Sequence, residues 1–490
     1  MRLEALAEIA AGGAPPPLDG DDRARLQAAR AVVERVVRDG LPVYGVNTGF
    51  GSLSAVSIPA GRLAELQTNL VRSHAVGTGE PLPREVVRAM MSLLATSLRR
   101  GHSGVRVELV ALLLDMLDAD VVPVVPSRGS VGASGDLAPL AHLALVIIGE
   151  GEAWAGAERV PGAAALAAAG LQPLTLAEKE GLALLNGTHL MAALGALTVL
   201  EAERLLEAAM VALALSTEAM KGSAGPLDAR LHDIRGQVGQ VAVATRLRTL
   251  LAGSEIVASH DDCARVQDPY TLRCGPQVLG AIADALAYVR TMLERELTAV
   301  TDNPLVFAAD DVIVAGGNFH GQPLSLPLDH LGLALCELAS YSERRTFALL
   351  SPSEAGLPAY LSSDPGVESG LMIAQYVSAA LVNECQVLAH PAGAGSIPTS
   401  AGMEDFNSMG AYAGIKARQI ARHAARVIAT ELACATECVE FHRPLRPTPA
   451  LRGAIDTVRS HVAPLRADRS LAAELDGLAG GLLSGEVAFA

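Results

Sequence analysis

Leu279, Ile282, Leu286, Val289, Leu293, Leu297 and Val300 recur at spacings of three and four, which lines them up on one stripe of a helix about six turns long. A stripe of that length must be buried against other helices. It runs to Thr301-Asp302-Asn303-Pro304, where proline blocks continuation. Leu328, Leu331, Leu335 and Leu338 begin a second stripe, and Leu190 to Met220 forms a third, denser one. With no strands between them, such helices pack as a bundle. The chain is 50% hydrophobic but only 3% aromatic, with a single Trp, so the apolar residues are chiefly Ala, Leu and Val, suited to close helix packing. These features predict an all-α (mainly α) fold.

The 490 residues divide softly into three regions. Residues 1–200 mix short helices and loops, residues 201–440 carry the long bundle helices, and residues 441–490 form an amphipathic helical tail. There is no internal repeat. Polar, Gly-rich or Pro-rich turns interrupt the helices at Tyr44–Gly51, Ser127–Asp136, Asn186–Thr188, Gln267–Arg273, Gly316–Gln322 and Gly393–Asp405. Loops at helix ends are where chemistry is usually mounted.

Several classes are disfavoured. A net charge of −15 argues against nucleic acid and anionic membranes as partners. The N-terminal MRLEALAEIAAGGAPPP has the character of neither a signal nor a transit peptide, and no uncharged apolar run reaches the roughly twenty residues of a membrane span. The six cysteines are scattered without a CxxC pair, so they are expected to be reduced, buried and inert, in a cytoplasmic protein. Cys434 and Cys438 share a helix face but lack partners for a metal site. GxxxxGK[ST], GxGxxG and HExxH are all missing. Gly132-Ala-Ser-Gly-Asp136 falls one glycine short of a GxSxG elbow, with no strand before it. No metal and no diffusible cofactor are expected.

Ala133-Ser134-Gly135, inside GSVGASGDLAP, has a chemistry that ordinary loops lack. In a tight kink the Gly135 amide nitrogen can reach the Ala133 carbonyl carbon and close a five-membered ring. Loss of two waters, one carrying the Ser134 hydroxyl, leaves a methylidene-imidazolone, a protein-made electrophile. Glycine at 135 leaves the kink free of a Cβ, and enforced proximity supplies the effective concentration that cyclisation needs. The tripeptide alone is also compatible with a plain turn.

Its surroundings are more specific. GSVGASGDLAPLAH resembles the prosthetic-group loop of the aromatic amino acid ammonia-lyases. Further segments resemble that family in the same order: VYGVNTGFGSL at 43–53, LVRSHAVGTG at 70–79, ALLNGTHLM at 183–191, VQDPYTLRCGPQ at 266–277, and VTDNPLVF with GGNFHGQP within 300–323. The likeness extends from about residue 3 to the end. It implies a long central bundle of the ammonia-lyase/fumarase-like type, a loop-rich N-terminal region carrying the methylidene-imidazolone, and a homotetramer in which three subunits contribute to each site.

Ser73-His74 stands where branches acting on phenylalanine or tyrosine have Phe-Leu or His-Leu, and is similar to the histidine-acting branch. Arg273-Cys274 and Gln267-Asp268-Pro269-Tyr270 also look like that branch. The resemblance therefore implies a carbon–nitrogen lyase converting L-histidine to trans-urocanate and ammonia. A tyrosine or phenylalanine lyase or a 2,3-aminomutase using the same electrophile is the runner-up, and an inactive helical scaffold the remote alternative. It also implies roles: Tyr44 as the base taking the β-proton, Arg273 on the α-carboxylate, and Asn186, Gln267, Tyr270 and Asn303 on the substrate or the imidazolone oxygen. Phe319 would wall the prosthetic ring, and His74 and Glu404 would contact the substrate imidazole. Glu404 keeps its register although Gly402-Met403 and Phe406 depart from the family's Asn-Gln-Glu-Asp-His, and His189 stands where Gln is frequent. A phenol with an ordinary pKa near 10 needs a nearby cation or donor to serve as base.

Overall fold

The computed structural model describes residues 1–49, 51, 55–259, 266–351 and 355–489. Phe50, Ser52 and Leu53 of the VYGVNTGFGSL segment, and Cys263, lie outside the described residues. The fold is mainly α. Its longest helices are His189–Ala219, Gly275–Glu296, Gln322–Leu350, Met372–Leu388 and Gly410–Glu440, and the strands among the described residues are two to four residues long.

The three apolar stripes lie in the first three of these helices. Leu279, Ile282, Leu286, Val289 and Leu293 are all buried, as are Leu328, Leu331, Leu335 and Leu338; each such side chain contributes about 1.5–3 kcal/mol by leaving water. The helix under the first stripe ends at Glu296 rather than running to Val300. The chain turns early because Thr301 and Asp302 are drawn into buried hydrogen bonds with Thr188, Asn186 and Lys179. Strands also occur where none were expected: an antiparallel hairpin, Leu305–Phe307 with Val312–Val314, separates two long helices. The Gln267–Arg273 turn likewise contains a single helical turn, Tyr270–Arg273.

The chain forms two compact units. The first comprises Met1–Leu197, Arg290–Asp329 and Pro391–Ile415. Its helix Gly20–Asp39 opens with Asp19 and Asp22 reciprocally bonded and closes on left-handed Gly40. That helix buries Ala29, Val32, Val33 and Val36 against Val46 and Val306, which ties the loop bearing Tyr44 to the hairpin that follows Asn303.

The second unit comprises Thr198–Val289, His330–His390 and Lys416–Ala490. Small residues let its helices approach closely: a Cβ on Gly239 would stand 2.1 Å from the Gly280 carbonyl oxygen. Cys336, Cys385, Cys434 and Cys438 are buried free thiols. Burial pushes Cys385 up to about 12, and Cys434 and Cys438 higher still, so they stay protonated.

Candidate active site

The loop before the helix Leu137–Ile147 is pinned from several segments of the first unit. Gly132 O accepts from Gly321 N at 3.2 Å and from Ser408 Oγ at 3.0 Å, while Met409 N donates to Val131 O at 2.9 Å. Gly135 pairs with Gly187, and Asp136 N donates to Gly187 O at 2.8 Å. Gly135 has a φ of +82°, and a Cβ there would lie 2.1 Å from Gly187 O. Only glycine fits. On the other face of this contact Gly187, at φ +125°, leaves no room for a Cβ against the His189 ring and Thr301.

Asp136 anchors the loop. Its buried carboxylate accepts Leu190 N at 2.9 Å and Met191 N at 3.1 Å through Oδ2, and Ser130 Oγ at 2.8 Å through Oδ1. Those amides open the helix His189–Ala219, where a negative charge is favoured. Burial nevertheless dominates and raises its pKa to about 6. With Gly132 and Gly135 both left-handed and the Gly187 backbone leaving no room for a Cβ at 135, the turn fits an imidazolone built from Ala133, Ser134 and Gly135.

Glu404 draws the other groups together. Ser134 Oγ donates to Glu404 Oε1 at 3.4 Å, across 270 residues of sequence, and Thr399 Oγ1 holds the other carboxylate oxygen at 2.8 Å. The same carboxylate acts electrostatically on both Tyr44 and His74. Burial raises the Tyr44 pKa; the Gly51 backbone N–H opposes this and Glu404 reinforces it. The shift runs opposite to what a base needs. Burial lowers the His74 pKa, against smaller opposing effects of Leu70 and Glu404. Because His74 Nδ1 lies 2.9 Å from Leu70 O, it carries the proton, which leaves Nε2 as the acceptor.

Asn186 and Asn303 sit together one layer behind. Asn186 Nδ2 donates to Asn303 O at 2.9 Å and Asp302 Oδ1 at 3.2 Å, and Lys179 Nζ pairs with Asp302 Oδ2 at 2.6 Å in a buried ion pair. The amide donors of Asn186 thus serve the chain itself. Phe319 is half-buried, two residues before the Gly321 amide that meets Gly132. Gln267, Tyr270 and Arg273 belong to the second unit. There the Arg273 guanidinium lies 4.6 Å from the Tyr270 ring centroid, and Arg273 Nε is buried with no hydrogen-bond partner among the described residues.

The family model for aromatic amino acid lyases matches residues 1–460. The chain belongs to the aromatic amino acid lyase family. It is 50% identical over 487 residues to the histidine ammonia-lyase of Myxococcus xanthus (strain DK1622), covering 99% of this chain and 96% of that protein. It is 49% identical over 478 residues to that of Paracidovorax citrulli (strain AAC00-1), covering 98% and 93%. Its fold superposes on the crystal structure of histidine ammonia-lyase from Trypanosoma cruzi with a TM-score of 0.92 at 40% identity, covering 99% of this chain and 92% of the other. Tyrosine aminomutase from Streptomyces globisporus gives 0.94 at 35% identity, covering 99% and 96%.

Within this aromatic amino acid lyase the residues that hold the loop escaped the sequence reading. Asp136, Gly187, Ser408 and the Lys179–Asp302 pair were not singled out as site residues. Neither buried charge carried a clear local signal: Asp136 ends a Gly- and Ser-rich turn and Lys179 lies between Glu178 and Glu180, where a charge is ordinary.

Proposed function

We propose that the chain eliminates ammonia from L-histidine to give trans-urocanate, using a methylidene-imidazolone formed from Ala133, Ser134 and Gly135. The observation that carries this reading is the convergence on Glu404, whose carboxylate meets the Ser134 hydroxyl and acts on both Tyr44 and His74. The likeness to histidine ammonia-lyases over nearly the whole chain supports it.

When formed, the imidazolone supplies an electron-poor carbon that assists departure of ammonia. The chain's own residues do the rest. His74 Nε2 and the Glu404 carboxylate present two acceptors suited to the two N–H groups of an imidazolium, the protonated ring of histidine. With the Ser134 hydroxyl lost to the imidazolone, a phenyl ring would leave His74 Nε2 and Glu404 Oε1 without donors, at about 1–3 kcal/mol each. Tyr44 takes the β-proton. Burial and Glu404 favour its phenol form, so that role requires further stabilisation of the phenolate. Arg273 grips the α-carboxylate; Gln267 and Tyr270 orient the substrate, with Asn186 and Asn303 steadying the wall behind the loop and Phe319 flanking it. The reading assigns Gln267, Tyr270 and Arg273 to sites shared among copies in a homotetramer. No helix among the described residues is long and apolar enough to cross a membrane, and the buried free thiols support a cytoplasmic address.

The test is to supply L-histidine, L-tyrosine and L-phenylalanine separately and follow the ultraviolet absorbance of the conjugated product. Histidine is expected to exceed phenylalanine in kcat/KM by about a hundredfold or more, the sum of two unpaired groups, with tyrosine between. His74→Leu should narrow that gap mainly through KM for histidine. A wild-type preference for tyrosine or phenylalanine overturns the histidine assignment.

A further inference from the structure

The segment carrying Arg273 is too short to hold its own shape. Tyr270–Arg273 is a single helical turn, and isolated turns are unstable without outside support. Two ties fasten it within the second unit: Asp268 Oδ2 accepts Ser223 N at 2.6 Å, and Leu272 is buried. A third comes from Tyr341, on the helix Gln322–Leu350, whose Oη donates to the Tyr270 carbonyl oxygen at 3.0 Å.

Tyr341 rests on a rigid base. The Arg345 guanidinium lies 4.6 Å from its ring centroid, and Arg345 is fully buried in a two-point pair with Glu431. Ser216 Oγ at 2.8 Å and Ser342 Oγ at 2.6 Å occupy the remaining sites on that carboxylate. A fully enclosed, two-point pair of this kind holds its members in one arrangement, although Arg345 Nη1 has no hydrogen-bond partner among the described residues. The arrangement runs from Glu431 through Arg345 and Tyr341 to the backbone of Tyr270, whose exposed ring lies under Arg273.

We infer that Tyr341 is a positioning residue for substrate: by holding the Tyr270 carbonyl on the Arg345–Glu431 base, it sets where Arg273 presents its guanidinium to a carboxylate. The inference rests on the reading of Arg273 as the carboxylate-binding group. Burial keeps the Tyr341 phenol protonated and so a standing donor. A grip on the carboxylate is made before and during reaction alike, so loosening it raises KM and leaves kcat nearly unchanged.

The experiment uses the full-length protein with Tyr341→Phe, which keeps the ring under Arg345 and removes the hydroxyl. Loss of one neutral hydrogen bond predicts a rise in KM for L-histidine of about three- to tenfold, with kcat within about twofold. Inhibition by trans-urocanate, which carries a carboxylate, should weaken by the same factor, while inhibition by imidazole, which lacks one, should not change. Hydrogen exchange at residues 270–274 should quicken, a readout that stands even if activity is low. Unchanged KM and exchange, or equal weakening of urocanate and imidazole, overturns the inference. Arg273→Lys separates the two ideas. If it weakens urocanate but not imidazole, the carboxylate reading stands whatever Tyr341→Phe shows; if it weakens neither, that reading falls and takes the inference with it.

Discussion

Replacing Asp136 tests whether the Ala133–Gly135 loop is anchored as the geometry indicates. In Asp136→Asn the amide oxygen can accept the Leu190 and Met191 N–H groups, while the amide nitrogen donates to Ser130 Oγ, whose own hydroxyl can turn to Gly135 O at 3.5 Å. Every partner is kept and only the charge is lost. The carboxyl is raised from 3.8 to about 6 by burial, which corresponds to roughly 3 kcal/mol against the ionised form. A raised acid pKa means that the folded state favours the proton. Wild type therefore loses stability as pH climbs from about 4 through 6, and remains at the lower level above. The Asn variant lacks this loss, so it should be as stable as wild type near pH 4 and more stable by up to about 3 kcal/mol at pH 7–8. Asp136→Ala leaves two buried N–H groups without acceptors and should fall below the Asn variant by about 2–6 kcal/mol. Urea unfolding across that pH range measures the differences, and intact-protein mass reports whether the imidazolone has formed. A pH-independent gap between Asn and wild type, or an Ala variant as stable as Asn, would refute the reasoning.

Two further outcomes follow from the candidate site. Wild-type protein should weigh less than its encoded sequence by two waters per chain; Ser134→Ala should abolish both this deficit and turnover, and a wild-type mass equal to the encoded one would show that no ring forms. Tyr44→Phe should keep the deficit yet lower kcat by about a hundredfold or more. Because the Tyr44 pKa is raised in the free protein, wild-type kcat/KM should still be climbing with pH through the neutral range, and a climb that survives in Tyr44→Phe would remove Tyr44 from the role of base.

The helical class could be read from the chain because apolar spacing is a local property: the stripe from Leu279 to Leu297 must be buried whatever it meets. The Ala-Ser-Gly loop could be singled out for a similar reason, since the cyclisation proposed for it involves only three consecutive residues. Family likeness then pointed to Tyr44, His74 and Glu404, but nothing local relates residue 134 to residue 404. That meeting exists only because Ser408, Met409 and Gly321 dock on the same loop and bring Glu404 with them.

Signs and anchors were also decided by the tertiary structure. Tyr44 is pushed away from phenolate by burial and Glu404, and the tautomer of His74 is set by the Leu70 carbonyl; both depend on distances and solvent exclusion, which a sequence does not carry. The ends of helices shifted for the same reason. Proline 304 marked where the first stripe could not continue, yet the helix stopped at Glu296 because buried partners for Thr301 and Asp302 outweighed another turn of helical hydrogen bonds. Asp136 shows the limit most plainly. Its charge was visible, but whether a carboxylate ends in water or under a helix terminus is settled only when Leu190 and Met191 fold over it.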